Sequence, residues 1–159
     1  MIDERTLADI LDNKNYQDLA WNSSPEDIGD GRTYVGHWDK KSTAKIKWRG
    51  FGILSFPDGS KYQGMTESGL FNGYGKMTHS NGDIYQGQWL NGKAHGQGVF
   101  CDNKGSLYDG DWKNDLQHGK GLELWDFNSI KYEGDFQEGQ KTGKGKFEFE
   151  GSTYQGDFV

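Results

Sequence analysis

Tyr85-Gln86-Gly87-Gln88-Trp89-Leu90-Asn91-Gly92-Lys93-Ala94-His95-Gly96-Gln97-Gly98 decides the fold, because its two signatures, Tyr-x-Gly-x-aromatic and Gly-x-Gly, recur along the chain at a nearly fixed interval. The tyrosines fall at Tyr34, Tyr62, Tyr85, Tyr108, Tyr132 and Tyr154, separated by 28, 23, 23, 24 and 22 residues. Glycine follows each by two, and an aromatic by four as Trp38, Trp89, Trp112, Phe136 and Phe158; only the copy at Tyr62 breaks this, with Thr66. The second signature appears as Gly73/Gly75, Gly96/Gly98, Gly119/Gly121 and Gly143/Gly145, and in the first copy as Gly50/Gly52, displaced by five residues. A fixed period of roughly 20 to 50 residues marks a repeat array, in which no unit buries its apolar face alone. One elongated body is expected.

Each period reads as a β-hairpin. Turn signals stand at Pro57-Asp58-Gly59, Ser80-Asn81-Gly82, Asn103-Lys104-Gly105, Asn128-Ser129 and Glu150-Gly151, where glycine or asparagine supplies the positive φ of a tight turn. In one copy the strands are expected at about 98–102 and 107–113, with Asn91-Gly92-Lys93-Ala94-His95 as a polar loop to the next hairpin. Strand alternation puts tyrosine, glycine and aromatic on one face, together with Leu54, Met77, Phe100, Trp125 and Phe147; Gln86, Gln88, Asp109, Asp111, Glu133 and Asp135 take the other. Rings can then lie over the bare glycine backbone of a neighbouring strand. The fold class is all-β, a single-layer array of hairpins over 34–159 with about five repeats.

Composition fits an array. The 159 residues hold 25 glycines, eight tyrosines, six tryptophans and nine phenylalanines but only two prolines, which is little aliphatic material for a compact two-layer domain. Cys101 is the single cysteine, so no intramolecular disulfide or thiolate zinc cluster is expected, and a cytoplasmic location fits. No basic segment leading into an apolar run opens the chain, and no stretch of about 18 apolar residues occurs. The net charge of −6 is concentrated in residues 1–33, with eight acids against three bases; 34–159 hold 16 acids and 15 bases. A nearly neutral body lacks the basic stripe that a phosphate backbone requires, so nucleic acid is not an expected partner.

The quoted stretch resembles the MORN repeat, whose units read approximately Tyr-x-Gly-x-Trp-x-x-Gly-x-x-His-Gly-x-Gly. It matches throughout; 108–121 departs with Asp115, and 132–145 with Phe136 and Thr142. The resemblance implies hairpin arrays that bind other proteins, some linked to phosphoinositide lipids, cytoskeletal assemblies or cilia, others carrying the repeats beside a kinase or methyltransferase domain. It points to a non-enzymatic scaffold or adaptor in a larger cytoplasmic or cytoskeletal assembly, ciliary in some members.

Residue chemistry points the same way. The chain holds no Gly-x-Ser-x-Gly, no Gly-x-x-x-x-Gly-Lys-Ser/Thr and no His-Glu-x-x-His, and Gly119-Lys120-Gly121 lacks the strand-loop-helix setting of a phosphate loop. His95 and His118 occupy equivalent positions one period apart, where the repeat itself favours histidine; no metal or cofactor is expected. The partner groove is expected on the aromatic-glycine face, centred on Tyr85, Trp89, Tyr108, Trp112, Tyr132 and Phe136, because a solenoid commonly holds its partner on an extended surface and tryptophan anchors well. A second candidate is the basic insertion near 40–49, where Lys40, Lys41, Lys45, Lys47 and Arg49 surround Trp48 and suit anionic lipid headgroups or an acidic segment. Residues 1–33 read as an acidic extension: Leu7, Ile10 and Leu11 recur at helical spacing, and 22–30 reads as a linker. The last copy stops at Phe158-Val159 without a visible cap, and an exposed strand edge there invites a partner or a second copy.

Overall fold

The computed structural model describes residues 18–39, 41–42 and 48–159. They fall into two compact units, the first ending at Ser80 and the second starting at Asn81. The first holds β1 (Leu19–Gly29), β2 (Arg32–Asp39), β3 (Trp48–Ser55), β4 (Lys61–Glu67) and β5 (Leu70–Thr78). The second holds β6 (Ile84–Leu90), β7 (Lys93–Cys101), β8 (Leu107–Lys113), β9 (Leu116–Trp125), β10 (Ile130–Gln137), β11 (Gln140–Phe149) and β12 (Ser152–Phe158), with one 3-10 turn, Asp126–Asn128, between β9 and β10. Within each unit every strand pairs antiparallel with its sequence neighbour, and neither set of strands closes on itself. The all-β hairpin array is therefore present.

Two expectations need correction. Residues 22–30, expected as a linker, lie almost wholly in β1, which pairs with β2 through Asn22↔Gly36 and Glu26↔Tyr34. Its turn-forming side chains act inside the strand: Asn22 Oδ1 accepts the Ser24 N–H at 3.0 Å and Asp27 Oδ1 accepts the Gly29 N–H at 2.8 Å, at the two irregularities of the register. The helix expected around Leu7, Ile10 and Leu11 lies outside the described residues. The second correction concerns the polar loop 91–95, which is only a two-residue turn at Asn91 (φ 51°) and Gly92 (φ 82°), while Lys93 to His95 already belong to β7. Two successive left-handed residues make the hairpin turn whose twist suits the flanking strands. The same pair recurs at Ser68-Gly69, Asn114-Asp115 and Glu138-Gly139.

The two glycines of Gly-x-Gly serve different ends. The first bends the chain: register runs Gly110↔Gly121 and then Asp111↔His118, so β9 carries two extra residues, Gly119 and Lys120. Gly119 takes φ 58° there, and Asp111 Oδ2 closes the bulge by accepting the Lys120 N–H at 2.9 Å. Asp135 does the same for Lys144 at 3.0 Å, and Gln88 Oε1 for Gln97 at 2.9 Å. The second glycine leaves room for a ring. A Cβ on Gly121 would stand 2.5 Å from the Tyr108 ring, and one on Gly145 would stand 2.6 Å from the Tyr132 hydroxyl oxygen.

Pairing aligns these glycines into rows, Gly36-Gly52-Gly64-Gly75 in the first unit and Gly87-Gly98-Gly110-Gly121-Gly134-Gly145-Gly156 in the second. Each tyrosine leans back along its own strand and donates its hydroxyl to the carbonyl three residues on: Tyr34 to His37 at 3.0 Å, Tyr62 to Met65 at 2.7 Å, Tyr85 to Gln88 at 2.9 Å, Tyr108 to Asp111 at 2.8 Å and Tyr132 to Asp135 at 3.0 Å. Ring over glycine is thus the core of this sheet, and Tyr34, Tyr62, Tyr108 and Tyr132 are fully buried.

Candidate functional site

The six aromatics expected to line a partner groove are part of that core. In the second unit they form one zigzag of edge-on rings, Trp89-Tyr85-Trp112-Tyr108-Phe136-Tyr132, continued by Phe158 and Tyr154, with neighbouring centroids 4.8 to 5.4 Å apart. Each such pair contributes about 0.5–1.5 kcal/mol beyond its area burial. Tyr85, Trp89, Tyr108, Tyr132 and Phe136 are buried; Trp112 is half-buried, and its Nε1 donates to the Gly98 carbonyl at 2.9 Å. The structure brings the six together, but edge to edge against each other.

Where Thr66 replaces the aromatic, the first unit packs differently. Thr66 is buried and its Oγ1 donates to the Gly50 carbonyl at 2.9 Å, while Phe71 stacks on Tyr62 with centroids 3.8 Å apart. Trp48 is buried as well, 5.3 Å from the Tyr34 ring, which corrects the expectation of an interfacial ring in the basic insertion. Arg49 Nε pairs with Glu67 at 3.0 Å, and Lys41 Nζ with Asp18 at 3.4 Å. Lys40, Lys45 and Lys47 lie outside the described residues.

An accessible concavity lies on the opposite face of the second unit. A groove of about 1000 Å³ runs along the glycine row, floored by the backbone of Gly110, Gly121, Gly134, Gly145 and Gly156. One wall is Asp109, Leu122, Glu133, Lys146 and Gln155, which oppose one another in register across β8 to β12. The other wall is a continuous polar ladder. Gln97 donates to Asp111, Lys120 Nζ reaches Asp135 at 2.5 Å, and Lys144 Nζ reaches Asp157 at 2.6 Å. Hydrogen bonds from Lys120 and from the Lys144 N–H hold the Asp135 carboxyl below the usual carboxylate range. Lys146 pairs with Glu148, and Lys131 with Glu133 at 3.0 Å, whereas Asp109 on the first wall is exposed. Such a surface offers matched charges and polar side chains to an extended chain, over a floor whose backbone is already paired between strands.

Strand alternation puts Asp109, Asp111, Glu133 and Asp135 on the polar face without marking a site, and it leaves Lys120, Leu122, Lys144 and Lys146 unassigned. The trough lies between two polar rows, over strand positions whose Cβ would point to the other face: a Cβ on Gly121 or Gly145 would meet Tyr108 or Tyr132 there. His95 and His118 lie on β7 and β9 with β8 between them, and the Nδ1 of each is buried without a hydrogen-bond partner. Among the described residues no group of three or more His, Cys, Asp or Glu side chains could hold a metal ion, and no helix is long and apolar enough to cross a membrane.

Comparison with characterised proteins finds none that matches this chain. The model of the MORN repeat matches residues 47–61, 62–84, 85–107, 108–126 and 132–153. Four of these segments begin on a tyrosine that lies over a glycine row, and the first, 47–61, begins at the end of the basic insertion. Repeats of this kind are generally protein- or lipid-binding modules. With its matched segments covering more than half of its length and its hairpins repeating in phase with them, the chain belongs to the MORN-repeat family.

Proposed function

We propose that the chain is a non-enzymatic protein-binding scaffold that holds an extended polypeptide segment of a partner in the polar groove of its second unit, within a larger cytoplasmic or cytoskeletal assembly, a ciliary one included. The observation that carries this reading is the division of labour between the faces. Rings that would anchor a partner on the aromatic face are consumed by packing on glycine, whereas the groove of about 1000 Å³ is open and floored by backbone. An extended segment can lie closely over such a floor, whose backbone is already paired between strands, and set its charges and polar groups against Asp109, Lys120 and Lys144.

The test is affinity capture from native cells with wild type and an Asp109→Lys, Leu122→Arg double variant, which fills the groove from its exposed wall. Loss of stoichiometric partners from a variant with unchanged circular dichroism is expected. Capture undiminished by the double variant would move the site elsewhere. An anionic-lipid adaptor is the other function open to this family, and vesicle sedimentation checks it; Lys41, Trp48 and Arg49, three of its six expected contacts, already have partners within the fold.

A further inference from the structure

One period of the second unit breaks the apolar pattern on the aromatic face. Two residues after the second glycine, the other periods of the array carry Leu54, Met77, Phe100 or Phe147; this one carries Glu123. Opposite the ring position, β7 brings Ala94 to Trp89, whereas β11 brings Lys141 to Phe136. The two departures meet. Lys141 Nζ forms an ion pair with Glu123 Oε2 and lies 4.6, 5.2 and 5.5 Å from the ring centroids of Trp125, Tyr132 and Phe136. Gln117 Nε2 donates to Glu123 Oε1 at 2.9 Å. Three ring faces and one carboxylate therefore converge on a single ammonium, in the arrangement by which aromatic cages take cations.

The accessibility of the parts is unequal. The Glu123 side chain is 13% exposed and that of Lys141 is 31% exposed. A carboxylate so covered is costly without a cation, so the cage requires an occupant. Lys141, by contrast, reaches it from the start of β11, two residues past the left-handed Gly139, on a flexible four-carbon stem open to solvent on one side.

We propose that this cage is a recognition site for a lysine ammonium of a partner polypeptide, and that Lys141 is its resident occupant, which swings into water when the partner's lysine enters. The exchange keeps Glu123 paired throughout, since one ammonium replaces another. Primary ammonium is the favoured class because the resident occupant keeps an N–H on Glu123, which a quaternary nitrogen cannot supply. The cage faces away from the polar groove, so either site stands if the other fails.

The probes are n-butylammonium and N-acetyl-lysine amide, added to the full chain. Lys141→Ala removes the resident ammonium and leaves Glu123 and the three rings chemically unchanged. Its Trp125 indole N–H resonance should move saturably with n-butylammonium, at least tenfold more tightly than in wild type and with no saturation by neutral n-butanol. Adding Glu123→Gln should weaken that binding at least tenfold. Equal response to n-butanol, or no saturable shift, overturns the proposal. Wild-type protein with labelled lysine carbons gives a measurement that does not depend on the variant folding: N-acetyl-lysine amide should drive the Lys141 Cε signal from its ring-shifted position towards that of a solvated lysine. A signal that stays put at saturating probe shows a purely structural ion pair and overturns the proposal too.

Discussion

At the scale of single residues, the two glycines of one Gly-x-Gly should respond differently to a side chain. At Gly121 a methyl would meet the buried Tyr108 ring at 2.5 Å, which is held by its hydroxyl and by edge contacts with Trp112 and Phe136, so Gly121→Ala should cost about 3 kcal/mol. At Gly119 the demand is a φ of 58°, and a Cβ would also collide with Asp111 Oδ2, the atom that closes the bulge. Asparagine tolerates that conformation but must turn the Asp111 carboxylate away from the Lys120 N–H, so Gly119→Asn should cost about 2 kcal/mol, less than Gly121→Ala, with urea unfolding as the measurement. If the two variants were equally stable, ring-over-glycine would not be the reason for the second glycine. The phenols supply a second residue-level outcome. Burial pushes Tyr34 up to about 12 and also raises Tyr62, Tyr108 and Tyr132. An unfolded phenol loses its proton near pH 10 while the folded one keeps it, so this stabilisation is complete below about pH 10 and is lost as pH rises through 12. For Tyr34 the loss amounts to about 3 kcal/mol. Urea midpoints should hold between pH 8 and pH 9.5 and then drop steeply; a flat profile to pH 11.5 would contradict the burial of these rings.

Among the elements, the left-handed turns are the place where the sequence is least well matched to its geometry. Asn91-Gly92 and Asn114-Asp115 use residues that accept positive φ, but Glu138 holds φ 51° in the turn between β10 and β11. Its carboxylate gains nothing from that conformation which asparagine would not gain more easily. Glu138→Asn should therefore stabilise the protein by about 0.5–1 kcal/mol, seen as a rise in thermal midpoint with an unchanged spectrum. A fall would mean that Glu138 makes a contact in solution stronger than the strain it bears. The turns also explain why the sequence reading shortened β7. Asn91-Gly92 is the strongest hairpin signal in the chain, yet it stood inside a stretch read as a loop because Lys93, Ala94 and His95 are not strand formers by composition. The bulge at Gly96 reconciles them with a strand, since Gln88 closes it from the neighbouring strand, a long-range bond that local propensity does not register.

For the molecule as a whole, the period of tyrosine and glycine made the hairpin array legible, because identical spacing imposes identical pairing. The site was less legible. Strand parity divides residues between two faces but does not say which face is covered, and only the tilt of Tyr85, Tyr108 and Tyr132 onto the glycine row closes the aromatic side. Glu123 and Lys141 escaped notice for a related reason: they occupy positions outside both signatures, 18 residues apart, and only the pairing of β9 to β11 through β10 makes them neighbours. That same pairing makes each unit quasi-one-dimensional, with strands packing chiefly on their sequence neighbours. Its consequence is that damage should spread along the ring zigzag rather than stay within one hairpin. A Cβ at Gly110 would press on the Lys120 carbonyl oxygen at 2.5 Å, the Gly121 Cα at 2.6 Å and the Tyr108 hydroxyl at 2.7 Å. Gly110→Val must therefore displace Tyr108, whose ring edges join Trp112 on β8 to Phe136 on β10. Amide hydrogen exchange in this variant should accelerate through β7, β8, β9 and β10 together, by at least tenfold over wild type. Acceleration confined to β8 and β9 would show that each hairpin stands alone and that the shared rings contribute little to cooperativity within the unit.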